Sequence, residues 1–258
     1  RVEQTRASLL RTRLGEALKK VRVAQGADNV ERRLTPTYDD RLPRDHAQNL
    51  YLWIQDGWQT EEKSVLAEAK ALGTDNPSLF AFLPAQHKTE LDNAIIALEA
   101  ARATLQKKGS PSTEEGRDAQ RSMESRQRAA EKELAELLNQ ILAGARVFQA
   151  GGQEAQDGND LAERIQRAAQ ASAIRLYSQF DAADHPQWSK VLDEARKGSL
   201  EALKAVGHTQ EADKYPVSQK LLAYIGPGKK GAEIRDQFEA PPHGWPRDAI
   251  DGALYALL

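Results

Sequence analysis

Two apolar stripes joined by a written-out turn limit this sequence more than any other feature. Leu91, Ile95, Leu98, Arg102 and Leu105 recur at alternating steps of four and three, and Met123, Ala130, Leu134, Leu137 and Ile141 continue the seam beyond the turn. Gly109 suits a helix C-terminus, Pro111 follows, and Ser112 with Glu115 three residues on reads as a capping box. The pattern predicts an antiparallel helical hairpin over residues 85–150. Its second arm, residues 114–147, holds seven acidic and six basic side chains, many spaced to pair along one helix, such as Glu124 with Arg128. Residues 116–127 are poor in large apolar groups, so this part of the hairpin is expected to project from the body on a salt-bridged, solvated face.

The front of the chain reads differently. Leu10, Leu14, Ala17, Leu18 and Val21 share one face of a helix over Glu3–Val23, which Gly26 closes. Residues 1–24 carry seven basic side chains (Arg1, Arg6, Arg11, Arg13, Lys19, Lys20 and Arg22) against Glu3 and Glu16. Tyr51–Ile54 and Leu79–Leu83 are short aromatic-rich runs closed by Asp56-Gly57 and Pro84, and a helix over Glu61–Leu72 lies between them. Strand, helix, strand implies a βαβ crossover and a parallel sheet. Further strands must come from residues 28–40 or from chain before Arg1.

After a glycine-rich loop at Gln149–Gly158, helices are predicted over Asp160–Phe180, Pro186–Arg196 and Ser199–Val206. Their signals are Asp160 with Glu163, Pro186 in a first turn, Ser199 as a cap and Gly207 after the end. Three short helices follow: one around Leu221–Ile225, one over Ala232–Phe238, and one over Asp248–Leu258 entered through Pro241-Pro242-His243-Gly244-Trp245 and Pro246. This matches the helical part of a winged helix whose wing is missing. The expected fold is mainly α with a small α/β N-terminal part, a long antiparallel helical hairpin, a helical middle and a winged-helix-like end. Its divisions fall at 1–84, 85–150, 151–213 and 214–258.

Chemistry is scarce. Without cysteine there are no disulfides, thiolate metal sites or thiol nucleophiles, and the five histidines form no i, i+4 pair. Gly226-Pro227-Gly228-Lys229-Lys230-Gly231 has neither the spacing nor the Ser/Thr of a Walker A loop and reads as a helix-ending turn. Asp181, Asp184 and His185 are expected to organise a helix start, with Asp184 as cap and Phe180 and Trp188 packed across the bend. No serine sits in a G-x-S-x-G elbow, so no catalytic, cofactor or metal residue is assigned.

With 36 basic against 38 acidic side chains the chain is nearly neutral. Residues 214–258 hold six basic and five acidic side chains, a poor footprint for a DNA reader. Arg6, Arg13, Lys20, Lys229, Lys230 and Arg247 are the nucleic-acid candidates, and His243, Trp245 and Pro246 form the candidate partner-contact turn. No run is long and apolar enough to cross a bilayer and the first residues lack a secretion signal, so a cytoplasmic location without membrane contact is expected. Starting at Arg and stopping inside an amphipathic pattern, the chain reads as part of something longer.

Five runs carry a family resemblance: KKGSPSTEEGRDAQRSMESR (107–126), ARVFQAGGQE (145–154), RLYSQFDAADHPQW (175–188), ALKAVGH (202–208) and GKKGAEIRDQFEAPPHGWPRDAIDGALYALL (228–258). Over roughly residues 50–258 the chain resembles the large P-loop ATPase of BREX bacteriophage-exclusion systems, the BrxC/PglY family. The resemblance implies a defence ATPase that acts with a methyltransferase and other BREX subunits. Its motor, with ATP and magnesium, lies upstream, and no Walker residue carries over to a position here. His243 stands where the family usually has Tyr. The segment is then a non-catalytic coupling region linking that motor to partner subunits, self-assembly or DNA. The alternative is a direct nucleic-acid-binding module using the basic first helix and the winged-helix-like end.

Overall fold

The structure, a computed structural model, describes residues 2–108 and 111–258. The chain runs through α1 (Val2–Leu18), β1 (Ala24–Gln25), β2 (Val30–Glu31), β3 (Leu34–Thr37), β4 (Leu50–Asp56), α2 (Glu62–Ala71) and β5 (Leu79–Leu83). Next come α3 (Lys88–Lys108), α4 (Glu114–Ala143), β6 (Arg146–Gln149) and α5 (Leu161–Leu176). Beyond a 3-10 turn at Phe180–Ala183 lie α6 (Trp188–Arg196), further 3-10 turns at Ala202–Val206 and Ala212–Lys214, α7 (Pro216–Ile225), α8 (Gly231–Glu239) and α9 (Arg247–Ala256). The protein is predominantly α with a small α/β part, in line with the sequence pattern.

The sheet has the order β3-β4-β5-β6, parallel across the first three strands and antiparallel at the last. Residues 28–40 thus supply the third parallel strand, β3. Successive side chains point to opposite faces, which sorts the strands into two cores. Leu52, Ile54, Leu79, Ala81 and Val147 pack with Leu14 of α1, Ile95 of α3, Ile141 of α4 and Ile165 of α5. Trp53, Phe80, Phe82 and Phe148 pack on the other face with Val65 and Ala69 of α2. Helices therefore cover both faces, as parallel strands require.

Strand β6 is not legible as such in the sequence. Gly144 ends α4, and Ala145-Arg146-Val147-Phe148, which reads as the end of a helix, turns back to pair with β5. The α3–α4 hairpin is thus an insertion between two neighbouring strands of one sheet. At its turn the cap is Thr113 and not Ser112, the threonine hydroxyl accepting from the Gly116 amide at 3.1 Å. Gly109, predicted to close α3, lies outside the described residues. Glu124 accepts from Gln120 at 3.0 Å on the exposed arm.

Other boundaries shift for local reasons. α1 stops at Leu18 instead of Val23, because Val21 and Val23 are β-branched and run into the β1–β2 hairpin, where Gly26 (φ 76°) serves the turn. Asp160 caps α5 by accepting from the Glu163 amide at 2.9 Å, as predicted, but the helix ends at Leu176 and not Phe180. α6 begins at Trp188 and not Pro186, and Asp184, instead of capping it, accepts from the Ala27 amide at 2.6 Å. Ala202–Val206 is a 3-10 turn, stopped by left-handed Gly207 as expected. Pro216 opens α7 earlier than the apolar residues alone indicate, and Pro246 is the N-cap of α9, outside the helix.

A separate core holds the C-terminal half: Phe180, Trp188, Val191, Leu203, Val217, Leu221, Ile234, Phe238, Trp245 and Ile250. The three last helices thus share their interior with α6. A Cβ on Gly252 would sit 3.3 Å from the Leu192 amide and from Val191 Cγ1, so α9 lies directly on α6.

Candidate functional site

The Pro-Pro-His-Gly-Trp turn, which contains a cis Pro241–Pro242 bond, is built around Trp245. Its ring stacks on Phe238 at 4.8 Å between centroids and 14° between planes, and its Nε1 donates to the Gln179 carbonyl at 2.9 Å. Lys220 Nζ lies 5.8 Å from the same ring and donates to Gln179 Oε1. Trp245 is 1% exposed, so the structure corrects its assignment as a partner contact: its apolar surface and its indole N–H are both satisfied internally. Pro246 is committed to the start of α9. His243 is only partly buried, 4.6 Å from the Phe238 ring and 5.0 Å edge-on to Trp245. Burial, with Lys220 nearby, holds its imidazole below the ordinary range, and its Nδ1 is buried without a hydrogen-bond partner among the described residues.

Arg32, which no sequence signal singles out, seats this turn on the front half of the chain. It donates through Nη2 to the Gly244 carbonyl at 2.9 Å and through Nε to Gln25 at 3.0 Å, and its guanidinium lies over Tyr177 and Phe180. Gly244 (φ 61°) allows this approach, because a Cβ there would overlap Tyr177 and come within 2.9 Å of Arg32 Nη2.

The charged residues of the last helices pair with one another. Arg235 holds Asp251 through two bonds, 2.8 and 3.1 Å, and Arg247 binds Glu239 at 2.8 Å. The carboxylate partners raise the pKa of both arginines. Lys229 Nζ lies 5.1 Å from the Tyr224 ring, and the Lys230 amide donates to Glu233 at the head of α8. The glycine-rich stretch around them is the turn after α7, with Gly226 at its C-cap.

The basic first helix is also spent internally. Arg6 is 7% exposed, pairs with Asp92 at 2.8 Å and stacks over Trp58, which removes it from any nucleic-acid contact. Arg13 donates to Asn139 at 2.9 and 2.7 Å and to Glu16 at 2.6 Å. Lys20 lies in the turn after α1, beside a cleft of about 250 Å³ shared with Asn139, Asp160 and Arg164. The six basic candidates therefore divide between α1 with the turn after it and the last three helices with their connections. Asp181, Asp184 and His185 make no acid/base set, since Asp184 holds Ala27 and His185 Nδ1 accepts from the Gln187 amide. Among the described residues no three His, Asp or Glu side chains are grouped to hold a metal ion, and no helix is long and apolar enough to cross a membrane.

What remains is the hairpin. Its base is gripped by α1 through Arg6–Asp92, Thr5–Glu99 and Arg13–Asn139. Towards the tip the arms part around a cleft of about 380 Å³ lined by Thr104, Leu105, Pro111, Ala119, Gln120 and Met123. Ion pairs such as Arg102–Glu131 and Arg121–Asp118 run along its flanks. A base gripped in this way with an apolar opening at the far end can present a binding surface. Comparison of the chain with protein-family models, curated proteins and solved structures finds no match.

Proposed function

We propose that this chain is a non-catalytic coupling region of a BREX-type phage-defence P-loop ATPase, acting in the cytoplasm. It links an upstream motor, which holds ATP and magnesium, to partner subunits of the system such as its methyltransferase. The identification rests on the sequence resemblance. One structural observation carries the mechanical part: the hairpin inserted between β5 and β6 has its base locked to the sheet and an apolar cleft at its other end. A movement at the sheet is then delivered to whatever the tip holds.

The nucleic-acid alternative draws less support, because three of its six candidates, Arg6, Arg13 and Arg247, are committed to internal partners. The test is a pull-down of purified BREX methyltransferase and associated subunits by the chain with and without its hairpin tip. Retention by the intact chain and loss on tip removal support the reading. Equal retention by both removes it, and mobility retardation of DNA that weakens steeply with salt favours the alternative.

A further inference from the structure

His243 is a titratable group that the coupling role does not use, set at the point where the two halves of the chain meet. Around its ring the 240–246 turn is held by main-chain bonds: the Gln179 amide donates to the Pro242 carbonyl at 2.9 Å, and the Trp245 amide donates to the Phe238 carbonyl at 2.8 Å. Arg32 takes the Gly244 carbonyl from the other side. The imidazole closes an aromatic cluster with Phe238 and Trp245, and its Nδ1 faces protein without a partner among the described residues. Such a site suits a neutral ring that presents only a lone pair inward. A second N–H at Nδ1 would have nothing to donate to.

We propose that the 240–246 turn is an acid-sensitive latch: neutral His243 completes the cluster that keeps the turn on the end of α5 and on Arg32, and protonation expels the ring and frees the turn. The charges around it give no relief. Of the titratable groups on the surrounding elements, Glu239 is committed to Arg247, Arg235 to Asp251, and Arg32 to Gly244 and the Tyr177 ring. Lys229 sits over Tyr224. Lys220 is the charge that acts on the imidazole, and it is of the same sign as the proton that would arrive. Both burial and Lys220 therefore favour the neutral form.

The Gln179 and Trp245 amides report the latch directly by hydrogen exchange on the full chain, corrected for the intrinsic rate, between about pH 7.5 and 5.5. The wild-type chain should lose protection at both amides by up to about tenfold on acidification, the most that one released imidazole supplies over this range, whereas His243→Phe, which keeps a ring and removes the titration, should hold its protection flat. Unchanged protection in the wild type, or equal loss in the variant, overturns the proposal. Should His243→Phe not fold, an NMR titration of the wild type decides: opening at Gln179 must share its midpoint with the His243 ring, and opening without His243 titration sinks the idea.

Discussion

The guanidinium of Arg32 lies 3.9 Å from the ring centroid of Tyr177 while its Nη2 donates to the carbonyl of Gly244. One side chain thereby ties together three segments far apart in sequence: the strand hairpin after α1, the end of α5 and the turn before α9. Burial lowers its pKa, and the aromatic faces of Tyr177 and Phe180 offset part of the cost of keeping a charge there.

Replacing Arg32 by alanine should cost about 2–3 kcal/mol, the sum of a desolvated cation–π contact and a charged hydrogen bond. Arg32→Lys keeps the charge but loses the planar fork that bonds Gln25 and Gly244 together, so it should recover only part of the loss. Urea unfolding curves of the three proteins, read at unchanged slope, test this.

Two glycines separate backbone strain from collision. Gly73 and Gly244 both have positive φ, 74° and 61°, but a Cβ on Gly73 meets open space whereas one on Gly244 runs into Tyr177. Gly73→Ala should cost only the left-handed penalty, about 1 kcal/mol. Gly244→Ala should cost that plus displacement of Arg32 and Tyr177, about 3 kcal/mol in all. Equal losses in thermal unfolding would show that the turn yields without disturbing its neighbours.

The helical hairpin and the βαβ unit were legible because each depends on local periodicity: Leu91, Ile95 and Leu98 on one helix face, Leu79–Leu83 closed by Pro84. β6 was not, because four residues after a thirty-residue helix carry too little pattern to separate a strand from a frayed end. The roles of Arg6, Arg32 and Trp245 depend on partners 86, 212 and 66 residues away, which no spacing rule reaches. Trp245 illustrates the cost: an aromatic residue in a proline-rich turn resembles an exposed anchor until Phe238 and Gln179 close over it.

The two ion pairs of the last helices should differ in worth. Asp251 is 8% exposed, so Arg235→Ala leaves a buried carboxylate unpaired. Since the Arg235 side chain is 38% exposed, the full penalty of a dry pair is discounted to about 2 kcal/mol. Arg247→Ala removes a partner of the exposed kind and should cost clearly less than Arg235→Ala. Denaturation midpoints of the two variants order the pairs.

Acid should loosen the sheet at Arg146, which bonds Glu154 at 2.9 Å and also pairs with Glu62. Its hydrogen bond pulls the Glu154 carboxyl below the ordinary value of 4.5. Because the folded pKa is depressed, the pair's contribution is fully present above the unfolded value and is lost as pH falls through 4.5 toward the folded one. Thermal melts of the wild type and Glu154→Gln from about pH 6 to 3 should converge at the acid end, with the variant showing the shallower slope.

The hairpin tip should be dispensable for folding. Along the arms the last buried side chain before the turn is Ala101 and the first after it is Ala130; among the described residues between them none is buried. Stability from apolar burial scales with the area removed from water, so the outer part of the hairpin contributes little to it. Joining residue 103 to residue 127 through a short Gly-Ser turn keeps the Arg102–Glu131 pair and the whole seam from Leu91 to Ala101. The shortened chain should unfold within about 1 kcal/mol of the intact one. That outcome, measured by urea unfolding, makes a loss of partner binding by the same variant attributable to the tip, because the body that carries it remains folded. A loss of several kcal/mol would instead mean that the cleft around Leu105 and Met123 is part of the core and not a surface offered to another molecule.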